Sequence, residues 1–184
     1  TQPQFSFVIP VMNEEGNVEE LHRQLVAAAE TMTDTADEYE LIFVDDGSTD
    51  DTVPKLKSLS PLHLIELRGN YGQTAALDAG IKAARGAYIV TLDGDLQNDP
   101  ADVPQMYQQL IEREKDVICG WRKDRKDPVS KKFISDGAKF LRSFLVNDGI
   151  HDSGCTLRVY RAECFKGLTL RGEMHRFIPA ILRW

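Results

Sequence analysis

Short runs of apolar and β-branched residues alternate along this chain with segments whose apolar positions recur every three or four residues. Phe5–Pro10 is a compact apolar run closed by proline and reads as a strand. Val18, Leu21 and Leu25 fall on one face of a helix starting at Val18, with Asn17 as its cap and Glu20 as the capping-box partner. Leu41–Val44, His63–Leu67, Tyr88–Leu92 and Val117–Cys119 repeat the strand pattern. Thr52–Leu59, the alanine-rich Gln73–Ala84 and a stretch that follows Asp102 and runs to about Glu114 repeat the helical one. After Gly120 the pattern changes to a basic loop, an amphipathic helix around Lys132–Leu145, a strand at Thr156–Tyr160 and further helical segments. Buried strands alternating with helices predict an α/β fold: a mostly parallel central sheet with helices on both faces.

Ligands of such sheets bind outside the carboxyl ends of the strands. The polar clusters of this sequence fall there: Asn13 and Glu14 after the first strand, Asp45 and Asp46 after the second, Asp93 and Asp95 after the fourth. Asp93-Gly94-Asp95 places two carboxylates on either side of a residue with no side chain, and Gln97 adds an amide oxygen. Oxygen-only donors suit magnesium or manganese rather than zinc, and a diphosphate completes the shell of such a cation. One carboxylate of Asp45-Asp46-Gly47-Ser48 suffices to accept from a base imide or ribose hydroxyl. Capping by Ser48 or Thr49 is the structural alternative. Arg68-Gly69-Asn70-Tyr71-Gly72-Gln73 is a glycine-rich entry to a helix, but it lacks the dinucleotide fingerprint.

Composition narrows the partners. The 184 residues suffice for one domain, and a net charge of −7 argues against nucleic acid. Three cysteines without a CxxC pair do not form a disulfide or zinc framework. Basic residues gather at Arg122, Lys123, Arg125, Lys126 and Lys131, a stretch suited to gripping phosphate, although its interleaved aspartates also suit a solvated loop. Ser135, His175 and Arg176 are further phosphate-binding candidates, and Asp152 is placed to orient or deprotonate an acceptor.

IPVMNEE, FVDDGSTDDT, LRGNYGQTAALDAG and TLDGDLQNDP together resemble glycosyltransferase family 2. GWRKDRKDP, HDSGCTLRVYR and GEMHRFIPA are similar to its polyprenyl-phosphate branch of dolichyl-phosphate mannose synthases and undecaprenyl-phosphate glycosyltransferases. The resemblance implies a GT-A fold and an inverting, metal-dependent transfer from a nucleotide sugar, UDP-linked before GDP-linked, to a polyprenyl phosphate. It implies that Pro10, Asn13, Glu14, Asp45 and Asp46 hold the nucleoside; Ser48, Arg68, Gln73 and Asp93 are further nucleotide-binding candidates. It further implies that Asp93, Asp95 and Gln97 surround the metal, and that Asp95 and Asp152 serve catalysis. Residues 1–184 then form one catalytic domain, with a nucleotide- and metal-binding half over 1–120 and an acceptor half over 121–184. A membrane segment is expected after Trp184, holding the domain at the cytoplasmic face. The family's relatives usually carry arginine where this chain has Asp136. A sugar nucleotidyltransferase would carry a basic phosphate loop after the first strand, where this chain has acidic Glu14 and Glu15. A phospho-receiver domain would carry its acidic pair after the first strand, whereas Asp45-Asp46 follows the second. A nucleotide-sugar-binding domain without transfer is the remaining alternative.

Overall fold

The computed structural model describes residues 2–120 and 155–182. Six strands form one mixed sheet: β1 (Phe5–Val11), β2 (Tyr39–Asp45), β3 (His63–Glu66), β4 (Tyr88–Thr91), β5 (Val117–Cys119) and β6 (Arg158–Arg161). Their order is β3-β2-β1-β4-β6-β5. The first four run parallel, with Phe5 opposite both Tyr39 and Tyr88. Strand β6 is antiparallel to β4 and to β5. The expected mostly parallel sheet is therefore present, with one reversed strand that local sequence pattern does not reveal.

Among the described residues the α-helices are α1 (Val18–Glu30), α2 (Thr52–Lys57), α3 (Gln73–Ala83), α4 (Val103–Glu112) and α5 (Ile178–Ile181). Strand periodicity sorts the core into two layers. Phe5, Phe7 and Ile9 of β1 pack with Leu21 and Leu25 of α1, Leu56 of α2 and Met106 and Leu110 of α4. Val8 between them faces the other way, toward Ile42 and Val44 of β2 and Ala76 and Leu77 of α3. Helix α3 lies unusually close to its side of the sheet: a Cβ on Gly80 would collide with Cγ1 of Val8 and come within 3.0 Å of Cγ2 of Val44.

Two local expectations are corrected. Asn17 is the N-cap of α1 but makes no side-chain capping bond. Its amide is taken by the Glu14 carboxylate at 2.6 Å, while the Glu14 carbonyl accepts from the backbone N–H groups of Asn17 and Val18. Glu20 turns forward to Arg23 and Gln24 instead of back to the cap. Strand β3 is also not buried throughout. It is the sheet's outer border, with His63 and Glu66 exposed.

Candidate active site

The chain leaves β1 toward β2 on one side and returns to β4 on the other, so the loops after β1 and β4 lie side by side at a switch point of the sheet. A crevice at the carboxyl ends is the expected ligand site of such a topology. Gly94 marks how tightly the two loops meet. A Cβ there would lie 2.8 Å from Cγ1 of Val11 and 3.4 Å from Cγ of Glu14. The turn between Asp93 and Asp95 thus rests directly on the end of β1 and on the Glu14 side chain.

Asp45 and Asp46, both buried, face different tasks. The Asp45 carboxylate folds over its own turn and accepts from the N–H groups of Gly47 and Ser48, at 3.1 Å each to Oδ2. The Asp46 carboxylate reaches across to the entry of α3, accepting from Tyr71 N–H at 2.7 Å and Gly72 N–H at 2.9 Å. Gly72 is the N-cap of α3 and has φ +91°, backbone that favours glycine. The next residue, Gln73, donates its side-chain amide to Oδ1 of Asp93. Asp46 and Asp93, on the loops after β2 and β4, are thereby joined across the end of β1 through the first residues of one helix.

Asp95 is exposed, and one of its oxygens accepts from Gln97 N–H at 3.1 Å; Leu96 between them has φ +57°. The Gln97 side chain is exposed beside it. Asn98 is buried and donates to the Thr156 hydroxyl, which ties this turn to the approach of β6. On the β1 side, Asn13 adopts φ +56°, donates its N–H to the Ser48 hydroxyl at 2.8 Å and accepts from Thr49 N–H at 2.8 Å. Glu14 N–H bonds the Thr52 hydroxyl. Pro10 lies within β1 opposite Val44, and Arg68 is exposed just beyond β3.

Asp93, Asp95, Gln97, Glu14, Asn13, Ser48, Asp45, Asp46 and Gln73 thus all belong to one rim. Asp152, Arg122, Lys123, Arg125, Lys131 and Ser135 lie outside the described residues. His175 and Arg176 diverge. Arg176 is exposed beside Glu173, whereas His175 is buried, with Nδ1 2.6 Å from the Thr74 hydroxyl. Burial pushes the His175 imidazole below its ordinary value, so it is neutral at neutral pH.

Sequence reasoning passed over Arg158. Its guanidinium is buried and donates to the carbonyls of Cys155 at 3.0 Å and His175 at 2.9 Å. With Thr91, Thr156, His175 and Asp93 it lines a small cavity behind the rim. The available signal was a cation in the middle of an apolar strand pattern, Leu157-Arg158-Val159-Tyr160, which calls for an internal partner.

Among the described residues, no group of three or more His, Cys, Asp or Glu side chains is gathered as a cation cage. The rim instead offers two carboxylates and an amide from one turn. Such an oxygen-only set matches a divalent cation held by one or two carboxylates and completed by substrate phosphates.

The model of the family described as glycosyl transferase family 2 matches residues 6–169. Dodecaprenyl-phosphate galacturonate synthase of Rhizobium johnstonii is 46% identical over 183 residues, covering 96% of this chain and 53% of that protein. Undecaprenyl-phosphate 4-deoxy-4-formamido-L-arabinose transferase of Sodalis glossinidius is 36% identical over 181 residues, covering 96% of this chain and 54% of that protein. The chain therefore spans about half the length of these curated relatives. Glucosyl-3-phosphoglycerate synthase from Mycobacterium tuberculosis, solved with Mn2+, uridine diphosphate and glucosyl-3-phosphoglycerate, superposes with a TM-score of 0.69 at 21% identity. That match covers 90% of this chain and 59% of the solved one, and it agrees with a GT-A-type α/β fold.

Proposed function

Because the chain belongs to glycosyl transferase family 2, we propose that it carries the donor site of an enzyme that moves a sugar from a nucleotide sugar to a polyprenyl phosphate. The observation that carries this reading is the meeting of Asp93-Gly94-Asp95 with Glu14 at the switch point of the sheet, beside Asp45 and Asp46. Relatives that act on dodecaprenyl and undecaprenyl phosphates support the acceptor class. Three free cysteines support a reducing compartment, and so the cytoplasmic face of a membrane. Among the described residues no helix is long and apolar enough to cross a membrane.

The acceptor phosphate attacks the anomeric carbon from the face opposite the nucleotide, and the nucleoside diphosphate leaves with growing negative charge. Magnesium or manganese held by Asp93, Asp95 and Gln97 supplies the charge neutralisation that this leaving group needs. The protein's own part is orientation. Gln73 holds Oδ1 of Asp93, Gln97 N–H holds Oδ1 of Asp95, and Asp46 fixes the loop at the mouth of the site. The acceptor phosphate is already largely ionised at neutral pH, so the demand for a strong general base is modest. For Asp152 this leaves orientation of the acceptor or of a basic side chain.

A panel of UDP- and GDP-sugars with and without manganese, read by thermal denaturation, tests the donor site. A donor at about 100 times its dissociation constant stabilises the native chain by about 2.7 kcal/mol. The expected result is a rise in midpoint with a UDP-sugar plus manganese. A flat panel removes the donor site. A nucleotide response with no transfer to a short polyprenyl phosphate by the full-length protein removes the transferase activity.

A further inference from the structure

The segment around His175 enters the chain a hundred residues after α3, yet the two meet inside the protein. The Thr74 hydroxyl is 2.6 Å from His175 Nδ1, and both residues are buried. From the opposite side, Arg158 donates to the His175 carbonyl at 2.9 Å and so fixes the backbone that carries the imidazole. Arg176 Nε lies 3.4 Å from His175 Nε2. A guanidinium only donates, so Nε2 accepts and the ring proton sits on Nδ1, directed at the Thr74 oxygen. The neutral ring that this arrangement requires agrees with its burial.

Thr74 follows Gln73 in the first turn of α3. That turn is held at three points: Asp46 accepts from the Tyr71 and Gly72 N–H groups, the Thr74 hydroxyl oxygen accepts from His175 Nδ1–H, and Gln73 reaches Asp93. We infer that His175 is a positioning residue, which through Thr74 fixes the first turn of α3 and so aims the Gln73 amide at the Asp93 carboxylate. This differs from the phosphate contact suggested for His175 by the sequence. It rests on the proposed role of Asp93 toward a metal-bound diphosphate, and it makes the segment after β6 part of the donor site without touching the donor.

The test uses Thr74→Val, which keeps the shape of the side chain and removes its hydroxyl. Thr74→Ser restores the hydroxyl, and His175→Gln and Asp93→Asn complete the set. Two quantities are read: the Gln73 side-chain amide resonances of the metal-free protein, and the dissociation constant for UDP with manganese. The expected result is a displaced Gln73 amide and binding weakened about tenfold in Thr74→Val and His175→Gln. Thr74→Ser should stay near the parent. Thr74→Val combined with His175→Gln should be no weaker than either alone, because both remove one link. Should Thr74→Val leave the Gln73 resonances and the binding within twofold of the parent while Asp93→Asn weakens binding, the positioning role fails and the donor site stands. Unchanged binding in Asp93→Asn overturns the assignment of Asp93, and the positioning role with it.

Discussion

Asp93 and Asp95 are two residues apart and differ in every physical respect that matters to their use. Asp93 is half-buried and already engaged by Gln73, whereas Asp95 is exposed and, among the described residues, bonds the N–H of its own turn. Replacing Asp95 by Ala therefore removes a charge without disturbing packing. We expect its thermal midpoint to shift by no more than an exposed surface change does, about 0.5 kcal/mol in stability. Its kcat/KM with manganese should fall by about a hundredfold or more, the cost of losing one electrostatic contact to a developing charge. Steady-state rates beside a denaturation curve check both, and unchanged kcat/KM would take Asp95 out of the reaction. Asp45 should behave in the opposite way. Asp45→Ala leaves the Gly47 and Ser48 N–H groups without their acceptor and should cost about 1–3 kcal/mol of stability, read as a lower urea midpoint. The sequence showed that acids gather at strand ends, because the strands themselves are legible. It did not show which oxygens the protein consumes internally. The partners of Asp46 and Asp93 lie 25 and 20 residues away, and no spacing rule connects them.

At the scale of elements, α3 is the piece on which the rim depends, and Gly80 sets its height above the sheet. Gly80→Ala places a methyl against Val8 and Val44, side chains buried in the packed layer beneath. Overpacking of this kind costs about 1–3 kcal/mol, and it lifts the helix whose first residues hold Asp93. The expected outcome is a lower urea midpoint together with weaker binding of UDP and manganese. A variant as stable and as tight-binding as the parent would show that the helix does not need this close approach. Helix α3 was legible from its alanine-rich pattern, and so were the parallel strands. The reversal of β6 was not, because strand direction depends on which neighbours a strand finds. The cap of α1 was misread for a related reason. Asn17 had two available partners, and the Glu14 carboxylate prevailed over the helix's own N–H groups.

Across the whole molecule, stability should vary with pH through two groups in different elements, Glu40 in β2 and His175 in the helical turn after β6. Burial alone pushes the Glu40 carboxyl up, but bonds from Ser6, from Arg85 N–H and from the Arg85 guanidinium bring it below its ordinary value. Its contribution is present above 4.5 and is lost as pH falls through the depressed native value. Burial holds His175 below 6.5, so the unfolded chain takes up that proton first, and stability declines as pH drops from 6.5. Thermal midpoints should thus be level above neutrality, fall from about pH 6.5 and fall again under acid conditions. His175→Gln should remove the upper decline and spare the lower one. An upper decline that survives in this variant would assign it to another group.

Strand β3 carries one last consequence. It is four residues long, and the flanking ion pair of Lys57 with Glu66, at 2.8 Å, places opposite charges along it. A sheet that ends in so brief and polar a margin gives an approaching copy little main chain to zip onto. That side of the molecule is therefore guarded against fibre-like stacking.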